Sequence, residues 1–349
     1  MELYNKIEIG ETYIIAEMSA NHAGSIDIAK EIIWAAKESG ADCLKIQTYT
    51  ADTLTLNCDN EFFTIKSGLW KGETFYQLYG RAYTPWEWQA ELKEEVEKAG
   101  MDFLSTPFDN TAVDFLENLG VEFYKLASFE LIDIPLIRYV ASKRKPIIMS
   151  TGMGTLAELD EAVSTIRNEG NDNIVLMRCA SAYPAITDEM NLATMKNMSD
   201  TFGVPVGLSD HSAGAIGAVT AVAMGAKVIE KHFCLSRKIN SADSAFSMEP
   251  CEFAEMVRDI RQVEKAIGTV KYGPSQQEMG SLIKRRSIFS SADIKAGDRI
   301  TEDNIRVVRP GQGLHPRYYD ELIGRVALCD IEKGTPIKFE MIGKIFEEA

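Results

Sequence analysis

Two histidines, His211 and His232, each follow a short apolar run. His211 stands in Gly207-Leu208-Ser209-Asp210-His211-Ser212, after Pro205-Val206. His232 stands in Glu230-Lys231-His232-Phe233, after Lys227-Val228-Ile229. Residues 214–225 between them have the small-residue pattern of a helix. A strand–helix–strand unit puts both strand ends on one side of a parallel sheet, so the imidazoles would face one pocket. Two neutral imidazoles there suit a divalent metal with open positions; two hydrogen-bonded structural histidines are the alternative. Lys45 and Lys125 sit inside apolar strand-like runs, where lysine is costly unless paired. Glu17 or Glu130 could pair with them. Otherwise they bind an anion, for which Thr106, Ser128, Ser150, Gly152 and Ser209 would supply hydroxyls and backbone N–H groups. Glu17 could orient a water, move a proton or neutralise Lys45. Tyr183 reads equally as a packing residue or a ligand contact, and His22 as a loop hydrogen bond.

The elements that must position these groups follow one rhythm. Strand patterns fall at 13–17, 42–47, 102–106, 123–126, 146–150 and 174–179, then at the two histidine segments. Helical patterns at 28–39, 85–99, 112–119, 134–143, 156–168, 191–202 and 251–267 separate or follow them. About eight βα units match an α/β fold of the (β/α)8 TIM-barrel type in number and size. An open doubly wound sheet would call for a Gly-rich dinucleotide turn, and residues 19–24 are not G-x-G-x-x-G. In such a barrel function gathers at the C-terminal strand ends. Those ends carry Glu17, Lys45, Gln47, Thr106, Lys125, Ser128, Glu130, Ser150, Ser181, Tyr183, Ser209, His211, Glu230 and His232. A full ring of polar groups on apolar strands reads as an active site. Residues 50–83 form a long insertion with Phe62, Phe63, Trp70, Phe75 and Tyr76, read as a lid or binding loop.

Residues 1–267 are thus read as the barrel and 268–284 as a linker. Residues 285–349 form a small β-rich module in which I-x-x-G-x-x-I-x-x-x-x-I occurs at 294–305 and again at 331–342. The 349-residue chain is 45% hydrophobic, enough for a sizeable core. A formal charge of −15 argues against a nucleic-acid binder but leaves room for a small anionic substrate. Six cysteines without a C-x-x-C pair, and no secretory or membrane-spanning segment, lead to the expectation of a cytoplasmic protein with reduced thiols.

Glu17, Lys45-Ile46-Gln47, Ser105-Thr106-Pro107-Phe108, Tyr124-Lys125-Leu126-Ala127-Ser128, Ser150-Thr151-Gly152-Met153, residues 179–184, 207–212 and 230–233 together resemble the sialic acid synthase family. Those enzymes condense phosphoenolpyruvate with an amino-sugar aldehyde. The resemblance runs through a C-terminal antifreeze-like (SAF) module at 285–349. Within the family, residues 240–248 and the Ser181 segment resemble the branch that takes 2,4-diacetamido-2,4,6-trideoxy-altrose. N-acetylmannosamine or a legionaminate precursor is the alternative substrate, and a non-catalytic sugar-binding protein the alternative class. The resemblance implies that Lys45, Lys125, Thr106, Ser128, Ser150, Ser209 and Tyr183 hold phosphoenolpyruvate. It implies Mn2+, with Mg2+ or Co2+ as alternatives, on His211 and His232. Gln47, Glu130, Ser181 and Asp243 would face the sugar. Glu17 would orient the attacking water. Arg309, in Arg309-Pro310-Gly311-Gln312-Gly313, would reach a partner's barrel in a homodimer; an ordinary surface arginine is its alternative reading.

Overall fold

The structure, a computed structural model, describes residues 2–345. The last four residues of the expected 285–349 module lie outside the described residues, as does Met1. The chain divides into two units, Met1–Gly268 and Thr269–Ala349.

The first unit holds eight strands, β1 (Tyr13–Glu17), β2 (Cys43–Thr48), β3 (Asp102–Pro107), β4 (Tyr124–Leu126), β5 (Ile147–Ser150), β6 (Ile174–Cys179), β7 (Val206–Asp210) and β8 (Val228–His232). Every ladder between them is parallel, in the order β3-β2-β1-β8-β7-β6-β5-β4. The two ends of that order, β3 and β4, lie against each other, so the sheet curls into a barrel. Among the described residues this unit has eleven α-helices: α1 (Glu2–Ile9), α2 (Ile26–Glu38), α3 (Ala51–Leu54), α4 (Phe75–Ala82), α5 (Trp86–Lys98), α6 (Asn110–Leu119), α7 (Ile134–Ser142), α8 (Leu156–Asn168), α9 (Thr194–Phe202), α10 (Ile216–Ala223) and α11 (Pro250–Ile267).

Period-two alternation sorts each strand's side chains into two sets. One set, including Ile14, Ala16, Leu44, Ile46, Leu126, Met149, Leu176 and Ile229, packs under the helices. The other set fills the barrel interior with Tyr13, Ile15, Cys43, Leu104, Phe123, Ile148, Val175, Met177 and Val228. Leu3 of α1 is buried in that inner cluster, with Tyr4 and Ile7 packed against it. No helix is expected at α1 from sequence, since its apolar positions, Leu3, Ile7 and Ile9, are separated by charged and polar residues and no strand pattern precedes it. The loop expected at 21–24 starts inside a 3-10 turn, Ser19–His22. The insertion expected at 50–83 contains α3 and α4.

The second unit pairs β9 (Ser287–Ser290) with β10 (Ile305–Val308), and β11 (Arg325–Ala327) with β12 (Ile342–Ile345), both antiparallel. Its core contains Ile294, Ile300 and Ile305 from the first copy of the repeated pattern and Ile331, Ile337 and Ile342 from the second. Gly297 and Gly334, at the equivalent turns, have φ of +89° and +85°, where a side chain would be strained. Ile294 bridges Ile331, so the two copies meet. Its helix α12 (Tyr319–Leu322) adds Leu322 to the same core.

Candidate active site

One residue further along each inward-facing row, the apolar interior turns polar. Ile15 is followed on its row by Glu17, Cys43 by Lys45, Leu104 by Thr106, Phe123 by Lys125, Ile148 by Ser150 and Val228 by Glu230. All six are buried, the lysines and glutamates to within 4% of complete. Lys45 Nζ lies 2.8 Å from Glu17 and 3.4 Å from Glu230, and donates to Thr106 Oγ1 at 3.4 Å. Lys125 Nζ donates to Ser150 Oγ at 2.6 Å and lies 3.9 Å from Glu230. Ser209 Oγ donates to the same glutamate at 3.3 Å. The two lysines therefore converge on one buried carboxylate, Glu230.

The charge states follow from this packing. Burial pulls the Lys45 ammonium down, but Glu17 and Glu230 outweigh it and hold its pKa above the ordinary value. Lys125 goes the other way: burial lowers it, helped by the charge of Lys45 and opposed by Glu230. Burial raises Glu17 despite Lys45 and Gln47. Glu230 resists the same burial, because Lys125, Lys45 and His211 hold its carboxyl below the usual range.

From Glu17 the network runs outward. Gln47 Nε2 donates to Glu17 Oε1 at 2.8 Å and to Ser19 Oγ at 3.1 Å, and Ser19 Oγ donates to Asp243. Burial raises the Asp243 carboxyl, against Ser19 and the Ala20 N–H. Trp70 of the insertion donates its indole N–H to the carbonyl of Ala242 at 3.3 Å, which ties residues 50–83 down beside Asp243. Glu130 is buried with Oε2 unpartnered, and burial pushes its pKa up to about 7. The Gly152 N–H donates to Ser128 Oγ at 3.0 Å, and a β-carbon at Gly152 would run into Ser181 Oγ.

The imidazoles complete the mouth. His211 and His232 have ring centres 5.2 Å apart, with Tyr183 4.4 Å from His211 and Phe246 5.0 Å from His232. Nδ1 of His211 lies 3.3 Å from the Ala180 carbonyl and 3.6 Å from Cys179 Sγ. Nδ1 of His232 is buried without a partner. Burial, with the charges of His211 and Lys45, holds His232 well below the usual imidazole range, so it is neutral. Burial would hold the Cys179 thiol high, but His211 and Ser181 bring it down to about 7. Burial would lower His211, but Cys179, the Ala180 carbonyl and Glu230 outweigh it and hold its pKa above the ordinary value. A neutral His232 with an orphaned ring nitrogen beside it fits a divalent cation that takes the place of the His211 proton. Among the described residues no group of three or more His, Cys, Asp or Glu side chains could hold a metal, so water or substrate would complete the shell.

Fourteen of the fifteen residues expected at the site belong to the barrel unit and to this network or its border. Arg309 belongs to the second unit, exposed just after β10. Glu230, a strand end with no role expected from sequence, and Cys179 and Ser19, which carry no such signal, also belong to the site. Lysines at 45 and 125 inside apolar strands were the signal that a buried carboxylate had to exist. His22 accepts from the Gly24 N–H at 3.0 Å, the loop hydrogen bond expected of it.

Fold and mouth together define a (β/α)8 barrel with a buried cationic pair and an imidazole pair at its C-terminal end, joined to a small β module. The chain belongs to the NeuB family, whose model matches residues 32–272; the SAF domain model matches residues 285–343. It is 44% identical over 328 residues to the pseudaminic acid synthase of Campylobacter jejuni, covering 94% of this chain and 96% of that one. It is 42% identical over 331 residues to the pseudaminic acid synthase of Helicobacter pylori, covering 94% and 97%. Among solved structures, a putative spore coat polysaccharide biosynthesis protein E from Chromobacterium violaceum superposes with a TM-score of 0.72 at 26% identity, covering 96% of this chain and all of that one.

Proposed function

We propose that the protein is a pseudaminic acid synthase, a transferase that condenses phosphoenolpyruvate with 2,4-diacetamido-2,4,6-trideoxy-altrose and water to give pseudaminic acid and phosphate. The observation that carries this reading is the convergence of Lys45 and Lys125 on Glu230 at the strand ends that also bear His211 and His232. The identity to two named synthases over nearly the whole chain supports the choice of sugar.

Lys45 and Lys125 would grip the phosphate and carboxylate of phosphoenolpyruvate, with Thr106, Ser128, Ser150 and Ser209 as hydroxyl partners and Tyr183 as a wall. Gln47, Glu130, Ser181 and Asp243 would face the sugar. His211 and His232 would hold a divalent ion, Mn2+ or alternatively Mg2+ or Co2+, which when bound supplies Lewis acidity toward the aldehyde oxygen. C3 of phosphoenolpyruvate forms the new bond to the aldehyde carbon, leaving positive charge at C2. Glu17 orients water onto C2 and takes up its proton. The C2–O bond then breaks and phosphate leaves with the electron pair. The two protons of the water end on the new sugar hydroxyl and on the phosphate. Holding both reactants in a buried pocket supplies much of the acceleration.

We also propose a homodimer in which Arg309 of one subunit reaches the mouth of the other's barrel. Exposed Phe129, Ile132, Met153, Leu156, Ile186 and Ile216 stand on the segments after β4 to β7 and support a covered mouth. No helix among the described residues is long and apolar enough to cross a membrane; we propose a cytoplasmic location. Phosphate release measured with the altrose-type sugar, N-acetylmannosamine and a legionaminate precursor tests the assignment. Turnover on the altrose-type sugar is expected. Preference for another moves the protein to that branch, and no release with any of them favours a sugar-binding role.

A further inference from the structure

Asp210 and Lys231 each stand one residue before a histidine, and they are register partners in the β7–β8 ladder. Because side chains alternate along a strand, both point away from the barrel interior that holds the imidazoles. There they form an ion pair at 2.8 Å, with side-chain exposures of 0% and 1%. Asp210 Oδ1 accepts from the Ser212 N–H at 2.9 Å and from Ser212 Oγ at 2.6 Å. Lys231 Nζ also donates to the Ser212 carbonyl at 2.6 Å. One pair thus fastens the ends of both strands and the residue that follows His211. Ser212 in turn bridges Ala185, whose N–H donates to the His211 carbonyl at 3.0 Å. A buried ion pair is a poor device for stability alone, since two packed apolar side chains do as well or better. What it gives, with both carboxylate oxygens and the ammonium engaged, is a fixed geometry.

We propose that the Asp210–Lys231 pair is a positioning device that sets the separation and orientation of the His211 and His232 rings so that they share one divalent cation. The inference rests on the reading of the two histidines as metal ligands. Groups that orient metal ligands from behind typically carry 10–100-fold in affinity when removed.

The test is Mn2+ binding by the full-length protein, followed by the loss of the free-ion electron paramagnetic resonance signal, with thermal unfolding of the same samples. Wild type and His232→Ala establish the histidine site. Asp210→Asn, which keeps the shape and the Ser212 contacts, and Lys231→Met are expected to weaken Mn2+ binding by about tenfold or more in the folded protein. Lys231→Arg, which keeps the charge, is expected to recover most of it. Should Lys231→Met fail to fold, Asp210→Asn decides alone. A folded Asp210→Asn that binds Mn2+ like wild type, with only its thermal midpoint lowered, makes the pair a staple of the fold and overturns the inference. A wild type that takes up no Mn2+, or a His232→Ala that takes up as much, removes the histidine site and this inference with it.

Discussion

Lys125 shows how much a single buried charge constrains its surroundings. It is 1% exposed, bonded to Ser150 and shares Glu230 with Lys45. Replacing it by methionine leaves Lys45 as the one lysine paired with Glu230 and removes half of the proposed anion grip. Lys125→Met is expected to lower kcat/KM for phosphoenolpyruvate by about 10^3-fold or more; steady-state phosphate release checks this, and near-normal kinetics would dissolve the anion site. Glu130 gives a pH signature. Its carboxyl is pushed up to about 7 by burial, from an ordinary value of 4.5. The folded state then binds a proton more tightly than the unfolded one, so this group's contribution is fully present below pH 4.5 and is lost as pH rises through about 7. Glu130→Gln should flatten that part of the stability profile by about 3 kcal/mol between the two limits. Chemical denaturation at several pH values measures it, and an unchanged slope counts against a protonated Glu130.

At the scale of elements, the repeat in the second unit has the clearest consequence. Six isoleucines at equivalent places build most of a small core, and Ile300 and Ile337 are fully buried. A unit this small has little apolar area to spare. Ile300→Ala is expected to cost about 2–4 kcal/mol and to lower the unfolding midpoint of residues 269–349 while the barrel's transition stays put. A single unshifted transition in differential scanning calorimetry would contradict this. The repeat was readable because a twelve-residue pattern of isoleucine and glycine repeats intact. Strand positions were readable because apolar runs of four to six residues are bounded by turns. Helix α1 and the 3-10 turn at 19–22 were not, since one lies ahead of the first βα unit and the other is a single turn with no period.

For the whole molecule, the proposed partnership between subunits makes its own prediction. Arg309→Ala in the full chain is expected to lower kcat at least tenfold, by loss of one charge at the mouth, without moving the thermal midpoint. Equal turnover would leave Arg309 an ordinary surface residue. The sequence by itself determined the number of βα units, the small second module and the list of polar strand ends, because alternation and turn residues are local properties. It could not decide which carboxylate answers which lysine. Glu230 on β8 reaches Lys45 on β2 across β1, and Lys125 on β4 from the other side, only because the sheet closes on itself. Closure brings together residues 105 and 185 positions apart in the chain. The alternation that points Asp210 and Lys231 outward while the histidines face in acquires meaning only once β7 and β8 are paired in register.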